Sequence, residues 1–234
     1  MADYNKIWRE VYGDLQKYGP VHRHMRRLFL KLLSPLKYDT AVDVGCGNGD
    51  NLLLLSHNKK LKRLIGSDIS EEAIRYASKK INAEYKVLDI QKGIIDEKFD
   101  MVFCSFLLEH VEDDNSTLIN LKKMCGKYLF ISTIQGNYEA YKEWELKMGH
   151  LRNYNVGELE KKINDIGFKI IKKIEWGFPF YSPVVRKLQI LSPNVGIGKY
   201  DTKTKIISSI LNLLYFFNSF SKGDILIIIA ERNI

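Results

Sequence analysis

Short apolar runs alternate with longer amphipathic segments along most of the chain, a pattern typical of strands separated by helices. The first runs are each followed by a turn and a helical stretch, so the chain begins as a βαβαβ series. Such a series predicts a parallel sheet with helices on both faces. The predicted strands are 41–44, 63–68, 83–89, 99–105, 127–133, 168–176 and 224–232.

Amphipathic segments extend this series at both ends. Apolar residues recur at helical spacing from Tyr4 to Tyr18, and Gly19-Pro20 separates that helix from a second one. Before the last strand lies a long insertion, whose apolar stretch 206–220 is too short to cross a bilayer. We therefore predict one domain in four parts: an N-terminal helical cap (1–37), a core (38–176), an insertion (177–223) and a last strand (224–234).

A glycine-rich loop follows the first strand. The segment from Val42 to Gly49 reads VDVGCGNG, and Asp50 then begins a helix. Glycine lets a ligand approach the main chain, and a helix turns its unpaired N–H groups toward such a loop. On its own the loop also suits a plain tight turn. Asp43 adds a carboxylate at the strand's end.

Acidic residues also end the next two strands. Asp68 lies roughly twenty residues beyond the last glycine, where a carboxylate can accept both hydroxyls of a ribose. Asp89 ends the third strand in the same way, although a helix cap or a solvated strand end is the alternative for each acid. The set predicts a ligand that contains a nucleoside.

These positions together resemble the motifs of the class I S-adenosylmethionine-dependent methyltransferases, in which an acid precedes alternating glycines. The likeness covers 40–133 and includes SFLLEHVED after the fourth strand. It implies a Rossmann-like α/β fold with a seven-stranded mixed sheet in the order 3-2-1-4-5-7-6. It also implies S-adenosyl-L-methionine as cofactor. The cofactor-binding residues that it suggests are Asp43, Gly45, Cys46, Gly47, Gly49, Asp68, Ile69, Asp89, Ile90 and Ser105.

Two other classes of protein are alternatives. A nicotinamide-dependent oxidoreductase uses the same strand, loop and helix, but it predicts GxGxxG, whereas this loop reads GxGxG. Asp43 would repel a pyrophosphate, while it suits a positive sulfonium. A non-catalytic module that binds a membrane or a partner would keep the fold without turnover.

Two histidines are candidates for a catalytic base. His110 lies in the segment after the fourth strand and His150 in a long segment after the fifth, and an imidazole titrates near neutral pH. Orientation of a loop is the alternative for His110. In the similar ubiquinone-type O-methyltransferases an acid three residues before the matching Glu helps to bind a metal, but here that position is Phe106. We therefore predict no metal.

The acceptor side combines basic and aromatic residues. In this family the segment before the first strand generally folds over the acceptor, and GHLRNY, at 149–154, resembles a signature of small-molecule members. Surface exposure, packing or fixing of a loop is the alternative for each of these side chains. The predicted substrate-binding residues are His22, Arg23, Arg26, Tyr138, His150, Arg152 and Tyr154.

The charge distribution and the cysteines indicate which kinds of partner and which cellular compartment suit the chain. The net charge of +8 is unevenly placed, and residues 1–37 hold eight Lys and Arg against three acids, so an anionic acceptor or acidic lipid headgroups would suit the cap. The apolar stretch of the insertion is predicted to pack as a helix or lid, with an acceptor groove or peripheral membrane contact as the alternative. Three cysteines without CxxC spacing, and no signal peptide, favour the cytoplasm.

The acceptor is the least determined feature. Motifs for methylation of nucleic acid bases are missing from the chain, which disfavours a nucleic acid partner. We predict methyl transfer to a hydroxyl of a small molecule, a sugar or a glycan- or lipid-linked intermediate, with polysaccharide biosynthesis as the context. A quinone-like or other natural-product acceptor is the alternative. The oligomeric state is not predictable from these features.

Overall fold

The predicted strand order is confirmed. The computed structural model describes residues 14–191 and 198–233, and within them one seven-stranded sheet has the order β3-β2-β1-β4-β5-β7-β6. Strands β1 to β5 run parallel, and β7 is antiparallel to both β5 and β6. The strands are β1 Thr40–Val44, β2 Arg63–Asp68, β3 Glu84–Val87, β4 Phe99–Ser105, β5 Cys125–Ile134, β6 Phe168–Trp176 and β7 Ile225–Arg232.

Strands β1 and β7 differ from the predicted length by one residue each, and two other strands differ by three. The third, predicted over 83–89, is shorter because it is an edge strand that pairs only with β2, and its pairing ends where Val87 meets Asp68. The fifth, predicted over 127–133, is longer. It begins at Cys125, directly after a helix, and extends to Ile134, opposite Ile225 of β7.

Nine α-helices connect and cover the strands within the described residues. They are α1 Leu15–Tyr18, α2 Pro20–Leu33, α3 Asp50–Leu55, α4 Glu71–Ser78, α5 Asp114–Met124, α6 Lys142–Met148, α7 Glu158–Asp165, α8 Arg186–Leu191 and α9 Thr202–Leu214. Short side chains cap several of them, as expected at helix N-termini: Asp113 accepts from the Ser116 amide at 2.9 Å and Asp201 from the Thr204 amide at 2.7 Å. The first part of the predicted N-terminal helix, before Asp14, lies outside the described residues.

Helix α7 begins at Glu158, three residues after Asn155, although Asn155 and Glu158 have capping-box spacing in the sequence. Gly157, with φ of 83°, occupies the N-cap position of α7. The capping-box bond is nevertheless present, because the Glu158 carboxylate accepts from the Asn155 amide at 3.0 Å. Gly167, with φ of 86°, follows the end of the helix as expected.

Two apolar layers cover the sheet. One is built from α5, α7 and the residues of the strands that face them, such as Val102 and Ile228. The other joins the N-terminal cap to the insertion, because Phe29 of α2 belongs to the same buried cluster as Tyr181 and Tyr215. Phe29 also packs edge-on against Phe103 and Phe130 of the sheet, with ring centroids 5.7 and 5.1 Å apart. Cap and insertion therefore lie on the same face of the sheet.

The apolar stretch 206–220 forms most of α9 and a following 3₁₀ turn, Tyr215–Phe217. It does not pack as an ordinary amphipathic helix, because its buried positions include Ser208 and Asn212 while several aliphatic side chains face outward. No helix among residues 14–191 and 198–233 is long and apolar enough to cross a membrane.

Candidate functional site

The glycine loop takes a conformation that other residues would strain. Gly45, Gly47 and Gly49 have φ of 75°, 51° and 82°, and Gly49 is the N-cap of α3. A Cβ at Gly49 would lie 3.1 Å from the Cβ of Ala77, so the loop also needs glycine for close packing against α4. The loop is held in place by amides of Gly45 and Cys46, which donate to the carbonyl of Ser67 on β2 at 2.8 and 2.9 Å.

Asp43 is a buried acid at the end of β1. Its side chain is fully buried, and neither carboxylate oxygen has a hydrogen-bond partner among the described residues. Burial, and then the nearby charge of Asp68, raise its pKa well above the usual range. An acid without a partner beside a main-chain loop fits a ligand that brings its own cation or donor.

Asp68 joins the glycine loop to the end of β2. Its carboxylate accepts from the Gly47 amide and from the Ser70 amide, both at 2.9 Å. Burial raises its pKa, although the bonds from these amides oppose that effect. Two acids, Asp43 and Asp68, thus lie against the same loop, and Ile69 follows directly.

Asp89 and Ile90 lie at the end of the third strand region. Asp89 pairs with Lys92 at 3.0 Å, and its other oxygen accepts from the Gln91 amide at 3.1 Å. The Gln91 side chain in turn accepts from the Glu112 amide at 2.9 Å. The loop after β3 is therefore joined to the loop after β4, and Ile90 is buried between them and α5.

A cavity of about 340 Å³ adjoins the glycine loop. It lies between the carboxyl edge of the sheet and the helices of the cap, α6 and the insertion, and Ser105 and Phe106 form part of its floor. Phe106 has φ of 52°, which is unusual for a residue other than glycine and is typical of functional sites. Most lining side chains are apolar, among them Met25, Phe29, Phe106, Trp144, Met148, Leu188, Ile207, Leu211 and Tyr215.

His110 and His150 meet in this cavity. Their ring centroids are 4.7 Å apart and edge-to-face. The Nδ1 of His110 donates to the carbonyl of Gly149 at 2.9 Å, and burial and then His150 lower the pKa of His110 to about 3. The Nδ1 of His150 lies 2.5 Å from Oε2 of Glu145. Each Nδ1 has an acceptor, so Nε2 is the basic nitrogen when the ring is neutral.

Glu145 is the centre of a buried polar network that the sequence did not indicate. It is fully buried on α6, pairs with Arg186 of α8 and accepts from Asn153 at 3.0 Å. Burial alone would raise its pKa, but the bond to His150 and the charge of Arg186 lower it to about 2. Arg186 also lies over the Tyr141 ring at 4.0 Å. In the sequence Glu145 is one of several acids between Gln135 and Tyr154, and nothing there marks it as buried.

Three potential metal ligands also meet beside the cavity. Ligand atoms of Glu109, His110 and His150 lie within 4.8 Å of one another. Thr133 donates to Oε2 of Glu109 at 2.8 Å, and burial raises the pKa of Glu109. These three groups have the donor types that hold zinc or iron, while Phe106 occupies the position where the ubiquinone-type pattern has a further acid. The absence of a metal stays a prediction.

The predicted acceptor residues separate into two groups. His22 and Arg26 line the cavity, as His150 does. Arg26 is held by the carbonyls of Gln16 and Lys17 and by Asp50, at 3.4 Å from its carboxylate. Burial, and then the charge of Arg26, lower the pKa of His22 to about 4, so this ring is neutral at pH 7.

The other four predicted substrate-binding residues do not line the cavity. Arg23 donates to Ser209 of α9 at 3.2 Å. Arg152 donates to the carbonyls of Leu108, Val111 and Glu112, and so it fixes the loop that carries His110. Two tyrosines bond elsewhere, Tyr138 to the His150 carbonyl at 3.0 Å and Tyr154 to Asp114 at 2.7 Å.

Known proteins resemble this chain in sequence. A family model described as a methyltransferase domain matches residues 42–127. Over 151 residues the chain is 30% identical to the ubiquinone biosynthesis O-methyltransferase of Coxiella burnetii, a match that covers 60% of this chain. That match spans 64% of the relative, which is less than two thirds of its length.

Solved structures resemble it over nearly the whole chain. The magnesium protoporphyrin IX methyltransferase of Synechocystis, with bound S-adenosylhomocysteine, has a TM-score of 0.63 at 18% identity and covers 99% of this chain and 95% of its own. The N-methyltransferase NodS of Bradyrhizobium japonicum, also with S-adenosylhomocysteine, has a TM-score of 0.64 at 16% identity, with 99% and 98% covered. At this identity the likeness establishes the fold. The fold and the family model, which matches residues 42–127, both support a class I S-adenosylmethionine-dependent methyltransferase.

Proposed function

We propose that this chain transfers the methyl group of S-adenosylmethionine to a hydroxyl of an amphipathic small molecule. The observation that carries the proposal is the lining of the cavity. Gly45 and Gly47 of the glycine loop line it together with His110 and His150, and most of the other lining side chains are apolar. An acceptor with its hydroxyl at the histidines would place its remaining surface against that wall.

The residues at the glycine loop fit the cofactor. Among the described residues Asp43 has no hydrogen-bond partner, so it would face the positive charge of the methionine part, and Asp68 would accept from the ribose hydroxyls. Asp89 and Ile90 would lie against the adenine. The bound cofactor supplies an electrophilic methyl group on a positively charged sulfur.

His150 is the better candidate for the base. Its Nδ1–H points to Glu145, which leaves Nε2 to accept a proton, and the carboxylate stabilises the imidazolium that forms. During methyl transfer Nε2 of His150 would take the proton of the acceptor hydroxyl, while the bound cofactor would supply the methyl group to the acceptor oxygen. His110 has a pKa of about 3, which makes it a weaker proton acceptor.

The lining restricts the acceptor. Arg26 is the single Lys or Arg among the described lining residues, and it is already bonded to two carbonyls and to Asp50. A free nucleotide sugar, with its pyrophosphate, therefore fits less well than a molecule with an apolar part. Two sources share that chemistry: a lipid-linked sugar or glycan intermediate, and a phenol with an apolar chain, which the name of the Coxiella relative favours.

The proposal is tested by transfer of an isotope-labelled methyl group to three acceptors: a lipid-linked sugar, a phenol with an alkyl chain, and a free nucleotide sugar. We expect labelled product from one of the first two, and a large loss with His150→Ala. The control is His57→Ala, because His57 is exposed and lies outside the cavity. Transfer to the free nucleotide sugar alone would contradict the proposal. Which of the other two acceptors is methylated shows whether the acceptor is a lipid-linked sugar or a phenol with an alkyl chain.

A further inference from the structure

Helix α9 turns its aliphatic side outward. Ile206 and Ile210 are each 57% exposed and Leu213 is 64% exposed, whereas Ser208 and Asn212 are buried. The polar positions thus face the protein and the apolar positions face outward, the reverse of a surface helix of an ordinary globular protein. Burial in the interior does not account for these aliphatic residues.

The exposed side continues past the end of the helix. Ile206, Ile210 and Leu213 follow the spacing i, i+4, i+7, which places them on one face of α9. Phe217, in the 3₁₀ turn that follows, is 71% exposed. Phe220 is also exposed. We call these five residues the α9 surface. Contiguous apolar surface of this kind marks an interaction site.

Basic residues border the α9 surface. Within 199–223 there are four lysines and one acid, Asp201, whose carboxylate caps α9. Helix α2, which packs against α9, carries no acid, and its Arg27 lies 5.2 Å from the centroid of the Phe216 ring. Arg23 of the same helix bonds to Ser209 of α9. The partner of this surface must therefore combine apolar material with negative charge.

We propose that the α9 surface docks on a bilayer that contains anionic lipid, with the helix lying in the plane of the interface. An apolar face beside lysines and arginines is the composition of helices that bind there, since the side chains enter the acyl region and the cations meet the headgroups. A second copy of the chain is a poorer partner. A two-fold contact would bring each basic border against its equivalent.

The opposite side of α9 faces the cavity. Docking therefore bears on how the acceptor reaches the cavity, a point that rests on the proposed function. Ile207, Ser208 and Leu211 line the cavity, so one helix separates the cavity from the docked bilayer. An amphipathic acceptor held in the membrane would then have a short path to His150. Docking itself requires neither cofactor nor turnover, so it can be tested apart from catalysis.

The test is co-sedimentation of the full chain with vesicles of phosphatidylglycerol and phosphatidylcholine, and with phosphatidylcholine alone. We expect binding to the anionic vesicles at low salt and weaker binding at about 0.15 M salt. Replacing Ile210 and Leu213 by Ser should reduce the partition coefficient about tenfold. The matched control is Val156→Ser, an exposed apolar residue in the loop before α7.

Two double charge reversals test whether the basic residues beside the α9 surface contribute to membrane binding. Lys203→Glu with Arg27→Glu should lower the partition coefficient by about fivefold or more, whereas Lys60→Glu with Lys79→Glu, an equal change of net charge at other exposed positions, should lower it less. Unchanged affinity for S-adenosylhomocysteine shows that each variant is folded. Failure of the wild-type chain to bind anionic vesicles at low salt overturns the proposal. So does a wild-type dimer that the Ile210 and Leu213 variant converts to a monomer.

Discussion

The Nδ1 of His150 lies 2.5 Å from Oε2 of Glu145, and both side chains are almost completely buried. Arg186 pairs with the other oxygen of that carboxylate. The imidazole is therefore held in one orientation by a group that is itself held by an ion pair. In the proposed reaction this arrangement keeps Nε2 directed to the acceptor.

Glu145→Gln should lower kcat by about tenfold or more, because the amide cannot stabilise a positively charged imidazole as a carboxylate does. It should also destabilise the fold by about 3 kcal/mol, since a buried ion pair with Arg186 is broken. Steady-state kinetics and urea unfolding measure the two effects. Glu143→Gln, at an exposed position on the same helix, is the control and should change neither.

The two histidines should differ in their effect on rate. His150→Ala should reduce kcat by about 10²- to 10⁴-fold, the usual contribution of a general base, with the affinity for the cofactor nearly unchanged. His110→Ala should have a smaller effect, because a pKa of about 3 makes it a weak base. Losses below about tenfold in both variants would show that methyl transfer proceeds by proximity and alignment without a side-chain base.

Asp43 should destabilise the ligand-free protein at neutral pH. Its pKa is raised in the folded chain, so its favourable contribution is complete below the pKa of the unfolded chain and is lost as pH rises through the folded value. Asp43→Asn should therefore increase the free energy of unfolding at pH 7 by about 1 kcal/mol or more, and have little effect in acid. The same variant should bind S-adenosylmethionine more weakly.

Urea unfolding at several pH values measures this effect. Asp96→Asn, at an exposed position, is the control and should show no gain in stability at pH 7. A loss of stability in Asp43→Asn across the whole pH range would contradict the assignment of Asp43 as an acid without a partner in the ligand-free state.

Removal of metal should leave the reaction intact. Glu109, His110 and His150 lie close enough to share an ion. In the proposed reaction, however, the imidazole of His150 accepts the proton of the acceptor hydroxyl and does not bind a metal. Protein treated with EDTA should retain its kcat, and metal analysis of the purified chain should find less than one equivalent. Inactivation by EDTA that zinc or magnesium reverses would assign these residues to a metal centre instead.

The fold was predictable because its signals are local in the sequence. Each strand has its own apolar run, and the acid and glycines of the cofactor loop are neighbours in the chain. The order of the last strands came from the family resemblance. The ends of strands were less predictable where pairing with a neighbouring strand decides them, as at Val87 of β3. The start of α7 was less predictable because a glycine, Gly157, occupies its N-cap position.

The acceptor side was less predictable because its contacts join distant segments. Glu145, His150 and Arg186 belong to α6, a loop and α8, and only the packed insertion brings them together. Arg152 has the residue type of an anion binder, but its guanidinium is directed to carbonyls of the His110 loop. The outward face of α9 was equally hidden, since an apolar stretch in a sequence does not show which side is buried.

The most direct test of the central claim is calorimetric titration of the full chain with S-adenosylmethionine, beside Asp68→Ala and the exposed-site control Asp96→Ala. We predict saturable binding by the wild type and the control. In Asp68→Ala binding should weaken by about 1.5–3 kcal/mol, because hydrogen bonds to a charged acceptor are lost. No heat of binding in the wild type, or wild-type affinity in a folded Asp68→Ala variant, would contradict the account.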